Sequence, residues 1–287
     1  MRKFPHTNAE RRSRTTPTRS SRIHLTERDE VLLCDVFLQR VITRKQLNAL
    51  GYFGSTTVGN TRLRALFDAG YLRRTFAATG GYATEALYLL GSAAIDVVSA
   101  RLGVERSEVA RIIRTESPAF TEHCRAISEV RIAFQKGVPE GVTVEWLAEC
   151  QVRHEYSVRS EKGISHHILK PDGAVLFQSC QGCHLAFLEI ERGHTGAGAW
   201  RRSVAGYRRY LDRGFHREMY GVETAEILCV STAGHRRIDH LAGIANSEKA
   251  PFRFASFDVL VQFGPFPAIW TDGVSEERTS LLSEVLR

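Results

Sequence analysis

Lys170 to Gly193, KPDGAVLFQSCQGCHLAFLEIERG, is the stretch on which the reading of this chain turns. Ala174–Phe177 and Leu185–Ile190 are apolar runs bounded by turn formers, which predicts two strands joined through Ser179-Cys180-Gln181-Gly182. Residues two apart on a strand share a face, so Glu189 and Glu191 point the same way. Antiparallel pairing about Cys180/Gln181 puts Asp172 opposite Glu189, and pairing about Gln181/Gly182 puts it opposite Glu191. Either register gathers three acids on one face within cross-strand reach. Like charges so close repel, and one of them must take up a proton or find a cation. A divalent metal with oxygen ligands is one resolution, and a solvated sheet face is the other.

The chain of 287 residues is long enough for two domains, and its 43% hydrophobic and 25% charged residues are those of a globular protein. No apolar run approaches a membrane span, and the N-terminus lacks the apolar core of a signal peptide, so a cytoplasmic protein with reduced thiols is expected. The net charge of +7 favours a polyanionic partner, double-stranded DNA first.

In chain order, residues 1–24 read as a disordered basic arm, in which Arg2, Lys3, Arg11, Arg12, Arg14, Arg19 and Arg22 face the single acid Glu10. Thr26 and Asp29 have capping-box spacing, and Val31, Leu32, Leu33, Val36 and Phe37 make a first helix. Thr43 caps a second, Arg44–Leu50. A third starts at Ser55–Thr57 and ends at Gly70, with Leu63, Leu66 and Phe67 inward. Tyr71–Phe76, a Gly80-Gly81 turn and Tyr82–Leu90 make a two-stranded ribbon. Three helices and a ribbon predict a winged helix-turn-helix over residues 25–90, its third helix set for the major groove. Thr57, Asn60, Thr61, Arg62 and Arg64 are its candidate base contacts, since Asn and Arg read base edges bidentately. Arg73 and Arg74 sit at the root of the wing. Residues 91–116 read as a helical linker, with helices at Ser92–Arg101 and Ser107–Arg114.

The second domain is expected over residues 117–287. Its elements are a helix Ala119–Gln135, a strand Val142–Cys150 carrying Glu145 and Glu149 on one face, a loop or irregular strand at 153–168, and the acid hairpin. After these come a helix Trp200–Leu211, a strand Glu226–Val230, a helix Arg236–Ala245, a strand Phe254–Val261 and a closing helix Ser275–Leu286. Crossing helices imply that part of the sheet is parallel. The fold class is therefore α+β, with a mixed sheet. Cys180-Gln-Gly-Cys183-His184 has the spacing of half a zinc site, but no second such pair exists. No P-loop is present, and no His-x-His of a relaxase. Tyr207 and Tyr210 therefore read as packing residues, not nucleophiles.

Pro171-Asp172, an interval, and Glu189-Ile190-Glu191 together resemble the signature of the PD-(D/E)xK nuclease fold, with Glu191 standing where the pattern has lysine. KPDG…FLEIERG behind a winged-helix-like region resembles the replication-relaxation family of plasmids and other mobile elements, over about Leu25 to Trp270. The resemblance implies a nuclease-like second domain, with Mg²⁺ or Mn²⁺ held by Asp172, Glu189 and Glu149. If that site were active, Asp172, Glu189 and Glu191 would be its catalytic acids. Nearby Arg201, Arg202 and Arg208 cannot replace the lysine as a base, because arginine stays protonated. The expected function is a DNA-binding accessory or regulator in replication, relaxation, conjugative transfer or transcription, acting beside a relaxase or replication initiator. The alternative is a metal-dependent endonuclease tethered by its winged helix. Whether the chain forms a homodimer stays open.

If the arm lies on phosphates, deleting residues 1–24 lowers the slope of log affinity against log salt, because each phosphate contact releases counterions. Titrations at several salt concentrations measure that slope, and an unchanged value makes the arm a passive leader.

Overall fold

The computed structural model describes residues 23–76, 85–113, 117–161, 163–180, 182–275 and 277–281. All but the last two residues of the expected arm, the Gly80-Gly81 turn and the end of the expected closing helix lie outside these. The fold is mixed α+β, and the chain divides into two compact units, Met1–Ser128 and Glu129–Arg287. No described helix is long and apolar enough to cross a membrane.

In the first unit, α1 (Glu27–Gln39) starts at a capping box: the Asp29 backbone N–H donates to the Thr26 hydroxyl, and the Thr26 N–H donates to the Asp29 carboxylate. Its inner stripe of Leu32, Leu33, Val36 and Phe37 is buried. Strand β1 (Ile42–Thr43) leads into α2 (Arg44–Ala49) through a second capping box, Thr43 with Gln46. Ser55 caps α3 (Thr56–Asp68). Gly59 allows α3 to approach the loop before it, because a Cβ there would stand 3.1 Å from the Phe53 ring. Strands β2 (Leu72–Phe76) and β3 (Ala86–Leu90) pair antiparallel, and β1 adds to β3, giving the order β1-β3-β2. After a short 3₁₀ turn come α4 (Ile95–Leu102) and α5 (Arg106–Ile113), and Val98 and Val109 close the same core as α1 and α3.

Helix α6 (Pro118–Gln135) runs through the division between the units. The second unit is built on β4 (Thr143–Ala148), β7 (Gly173–Ser179), β8 (Gly182–Glu191), β9 (Ala225–Ser231) and β10 (Phe252–Ser256), in the order β10-β9-β8-β7-β4. The β4/β7 and β7/β8 pairs are antiparallel, and β8/β9 and β9/β10 are parallel. The parallel half is crossed by α8 (Ala197–Asp212) and the short α9 (Phe215–Tyr220), and then by α10 (His235–Ser247). Trp200, Val204, Tyr207 and Tyr210 of α8 pack with Ile238, Leu241 and Ala245 of α10 over Phe187, Ile227, Phe252 and Phe254 of the sheet. Each large apolar side chain buried this way contributes about 1.5–3 kcal/mol relative to exposure. On the other side, Phe134 of α6 meets Trp146, Phe177 and Phe266.

Four stretches differ from the sequence expectation. Residues 153–168 form two regular strands, β5 (His154–Ser160) and β6 (Gly163–Leu169), paired only with each other. Their outward side chains are Glu155, Ser157 and Arg159 with Ile164, His166 and Ile168, and both isoleucines are 58% exposed. Apolar residues on the wet face inverted the alternation that signals a strand. The expected strand Val142–Cys150 stops at Ala148, where Gln151 accepts the Ala148 N–H and a short helix α7 (Glu149–Val152) begins. Glu149 is therefore helical. Phe257–Phe263, apolar and strand-like in composition, is helix α11. Residues 277–281 are not helical; Thr279 bridges Trp270.

Gly91 follows β3 where the chain crosses the α3–β2 turn, donating its N–H to the Tyr71 carbonyl. A Cβ at Gly91 would lie 2.2 Å from the Gly70 carbonyl oxygen, a backbone atom that cannot swing aside. Gly91→Ala is expected to cost about 1–3 kcal/mol through overpacking. A chemical melt measures it, and an unchanged midpoint removes that contact.

Candidate nucleic-acid interface and the hairpin acids

The outward face of α3 carries Thr57, Asn60 and Thr61, all exposed, on a helix anchored by Leu63, Leu66 and Phe67, each at most 1% exposed. Residues 57, 60, 61 and 64 recur at helical spacing and share that face. The Arg44 Nη1 donates to the Asn60 Oδ1 at 3.1 Å, tying the start of α2 to the middle of this face.

The four arginines marked in the sequence are each engaged by the protein. The Arg62 Nε donates to Asp29 Oδ1 at 2.8 Å, and its Nη2 reaches Asp29 Oδ2 and the His24 carbonyl. The Arg64 Nε donates to Asp68 Oδ2 at 2.7 Å, with its guanidinium over the Phe67 ring. Arg73 donates to the carbonyls of Leu90 and Ile113. Arg74 stacks over Phe67, 4.5 Å from the ring centre, and over Phe76. Asp29 has no solvent exposure. Burial alone would raise its pKa, but the donors of Arg62 and Thr26 outweigh that and hold it below the usual carboxylate value. Sequence reading took Asp29 for a cap alone. Nothing in the spacing links it to Arg62, 33 residues away.

In the second unit the hairpin takes the first of the two registers. Ser179 pairs with Gly182 and Gly173 with Leu188, which puts Asp172 opposite Glu189. The backbone N–H of Ile190 donates to Asp172 Oδ2 at 2.7 Å, so Asp172 is bound into the sheet edge. The Tyr207 hydroxyl of α8 donates to Glu189 Oε1 at 2.6 Å. Glu189 keeps partial exposure as a residue, yet protein atoms crowd its carboxyl group. Burial first, and the Asp172 charge second, push its pKa up to about 8 against the pull of the Tyr207 bond. Glu191 goes the other way. Burial opposes its charge, but the Arg237 side chain of α10 donates from both Nε and Nη2, and the backbone N–H groups of Gly193 and Thr195 add to this, so its pKa is lowered. Arg237, which holds Glu191 ionised, and Tyr207, whose bond opposes the rise at Glu189, come from helices distant in sequence, and no local pattern announces them. The reading of Tyr207 and Tyr210 as packing residues holds, both being fully buried.

Glu149 pairs with Lys170 at 2.9 Å. Cys180 and Cys183 are exposed thiols, and His184 is hydrogen-bonded to Glu226 at 2.8 Å, which in turn pairs with Arg253. Among the described residues no group of three or more His, Cys, Asp or Glu side chains is placed to hold a metal ion. The donor set does not fit a three-ligand centre: Glu191 is committed to Arg237 and Glu149 to Lys170, leaving Asp172 and Glu189 as a coupled pair.

The replication-relaxation family model matches residues 35–225, which takes in α3, the ribbon strands and the whole acid hairpin. The chain belongs to the replication-relaxation family. No curated protein matches it, and no solved structure does.

The raised pKa of Glu189 has a definite sign in stability. Below its unfolded value near 4.5 the group is protonated in both states. Between that and about 8 the unfolded chain ionises while the folded one keeps its proton, so stability falls as pH rises. Glu189→Gln removes this slope. Melting temperatures of wild type and variant from pH 5 to pH 9 should diverge in favour of Gln as pH rises, and parallel curves would refute the buried-acid assignment.

Proposed function

We propose that the chain is a DNA-binding accessory protein in plasmid or mobile-element replication, relaxation or transfer, with residues 25–90 acting as a winged helix that sets α3 into the major groove. The observation that carries this reading is the outward face of α3, where Thr57, Asn60 and Thr61 stand exposed on a rigidly anchored helix. The succession of α1, α2 and α3 followed by a small antiparallel sheet is the order of elements in that motif. The net charge of +7 suits a polyanion, and family membership supports replication and relaxation as the setting. In this role the protein acts beside a relaxase or replication initiator, which would supply the strand chemistry.

A binding role is also favoured over cleavage by the hairpin. The position where a nuclease-like signature has lysine is Glu191, neutralised by Arg237, and a guanidinium stays protonated and cannot deprotonate an attacking water. Supercoiled plasmid incubated with the protein and Mg²⁺ or Mn²⁺ should stay supercoiled. Nicked or linear product would establish the endonuclease reading instead.

Gel shifts and footprints on the origin and transfer regions of a plasmid test binding directly. Asn60→Ala with Thr61→Ala should weaken specific binding by about 1–3 kcal/mol while leaving random DNA nearly unaffected. Arg64→Ala should cost less, since Asp68 already engages that side chain. Loss of the same size on both DNAs would make α3 a phosphate contact only.

A further inference from the structure

The commonest specific reader of guanine is an arginine or lysine, whose donors span the two acceptors N7 and O6 that guanine offers to the major groove. The described arginines of α3 are engaged within the protein. Withdrawing Arg62 would strand the buried carboxylate of Asp29 without its cation, a larger penalty than one base contact returns. Arg64 bonds to Asp68 one turn further on, with its guanidinium over the Phe67 ring. The first turns of α3 present Thr56, Thr57, Val58, Asn60 and Thr61, all exposed: methyl groups, three hydroxyls that bond to any base, and one carboxamide, without a cation.

We propose that α3 reads A·T base pairs, with Asn60 on adenine and the methyl groups of Val58, Thr57 and Thr61 against thymine. The inference rests on the reading that α3 enters the major groove. Adenine shows an acceptor at N7 and a donor at N6, which a carboxamide matches with its N–H and its oxygen together. The Arg44 donation to Asn60 Oδ1 fixes which way round that amide sits, and leaves the second lone pair of the oxygen for adenine N6–H and the amide nitrogen for N7. Val58 is 49% exposed in the first turn of α3, a large apolar side chain standing partly in solvent. An apolar side chain there has a fitting partner in the thymine 5-methyl group, which marks A·T pairs alone.

Selection of bound duplexes from a random library with the full chain should return A·T pairs where the footprint depends on α3. Replacing thymine by deoxyuridine at those positions keeps the pairing and removes the methyl group. Affinity should fall about fourfold for each methyl contacted, the equivalent of one buried carbon. Val58→Ala, at an exposed site where the melting temperature should not move, should abolish the thymine–uracil difference at one position. Asn60→Ala should cost roughly 5- to 140-fold on the selected site. G·C-rich sites whose binding still depends on Asn60 would overturn the A·T assignment and leave α3 as the reader. Equal affinity for thymine and uracil DNA at every position would overturn the methyl contacts. A chain that binds DNA with no change on Asn60→Ala and Val58→Ala would overturn both this inference and the groove reading of α3.

Discussion

The carboxylate of Asp29 is fully enclosed and is satisfied from two directions. Thr26 donates through its backbone N–H and its hydroxyl, and Arg62 donates through two nitrogens. The first pair caps α1 and the second clamps α3 onto it, so one buried charge ties the two helices together. Removing either set of donors would leave that charge underpaired in the interior, where the penalty runs to several kcal/mol. The direction in which Thr57, Asn60 and Thr61 face outward follows from this clamp and from the leucines and Phe67 behind it. Because the folded pKa of Asp29 is depressed, the stability it contributes is present above its unfolded pKa and is lost as pH falls through the folded value.

A comparable economy governs the second unit. Glu189 and Glu191 lie two residues apart on β8 and share a face, yet their pKa values move in opposite directions. The difference is the partner each helix delivers: α8 brings a neutral hydroxyl to Glu189, and α10 brings a guanidinium to Glu191. Identical side chains on one strand are thus separated into one acid that holds its proton near neutrality and one that does not.

Elements whose signals are local were legible in the sequence. The capping box at Thr26 and Asp29, the cap at Thr43 and the inner stripe of α3 were available from spacing, the mixed sheet from its crossing helices, and the hairpin with two registers left open. The stretches that misled did so for physical reasons. Ile164 and Ile168 face water on β6, so the run looked irregular. Phe257–Phe263 has strand-forming residues but follows the end of β10, where the chain turns into a helix. At the candidate interface, the exposed face of α3 was visible, but the engagement of Arg62, Arg64, Arg73 and Arg74 was not. Their partners are brought together by the tertiary fold or, for Arg64 and Asp68, by a helical pair that the sequence leaves ambiguous between salt bridge and DNA contact. That Asp172 and Glu189 come opposite each other was one of two registers legible in the sequence, while the proton on Glu189 depends on burial and the ionisation of Glu191 on Arg237, which only packing supplies.

The two-residue connection between β7 and β8 also bears on the order in which the molecule assembles. Strands joined so tightly meet with little loss of chain entropy, whereas β8 reaches β9 only after the crossing segment that includes α8 and α9 has been laid down. Closing the hairpin brings Asp172 and Glu189 together at little cost in chain entropy. The electrostatic penalty belongs to the packed state, in which Tyr207 of α8 bonds to Glu189 and its carboxyl group is buried. Above about pH 8 an ionised Glu189 opposes Asp172 beneath Tyr207, so alkaline conditions burden the seating of α8 on the sheet.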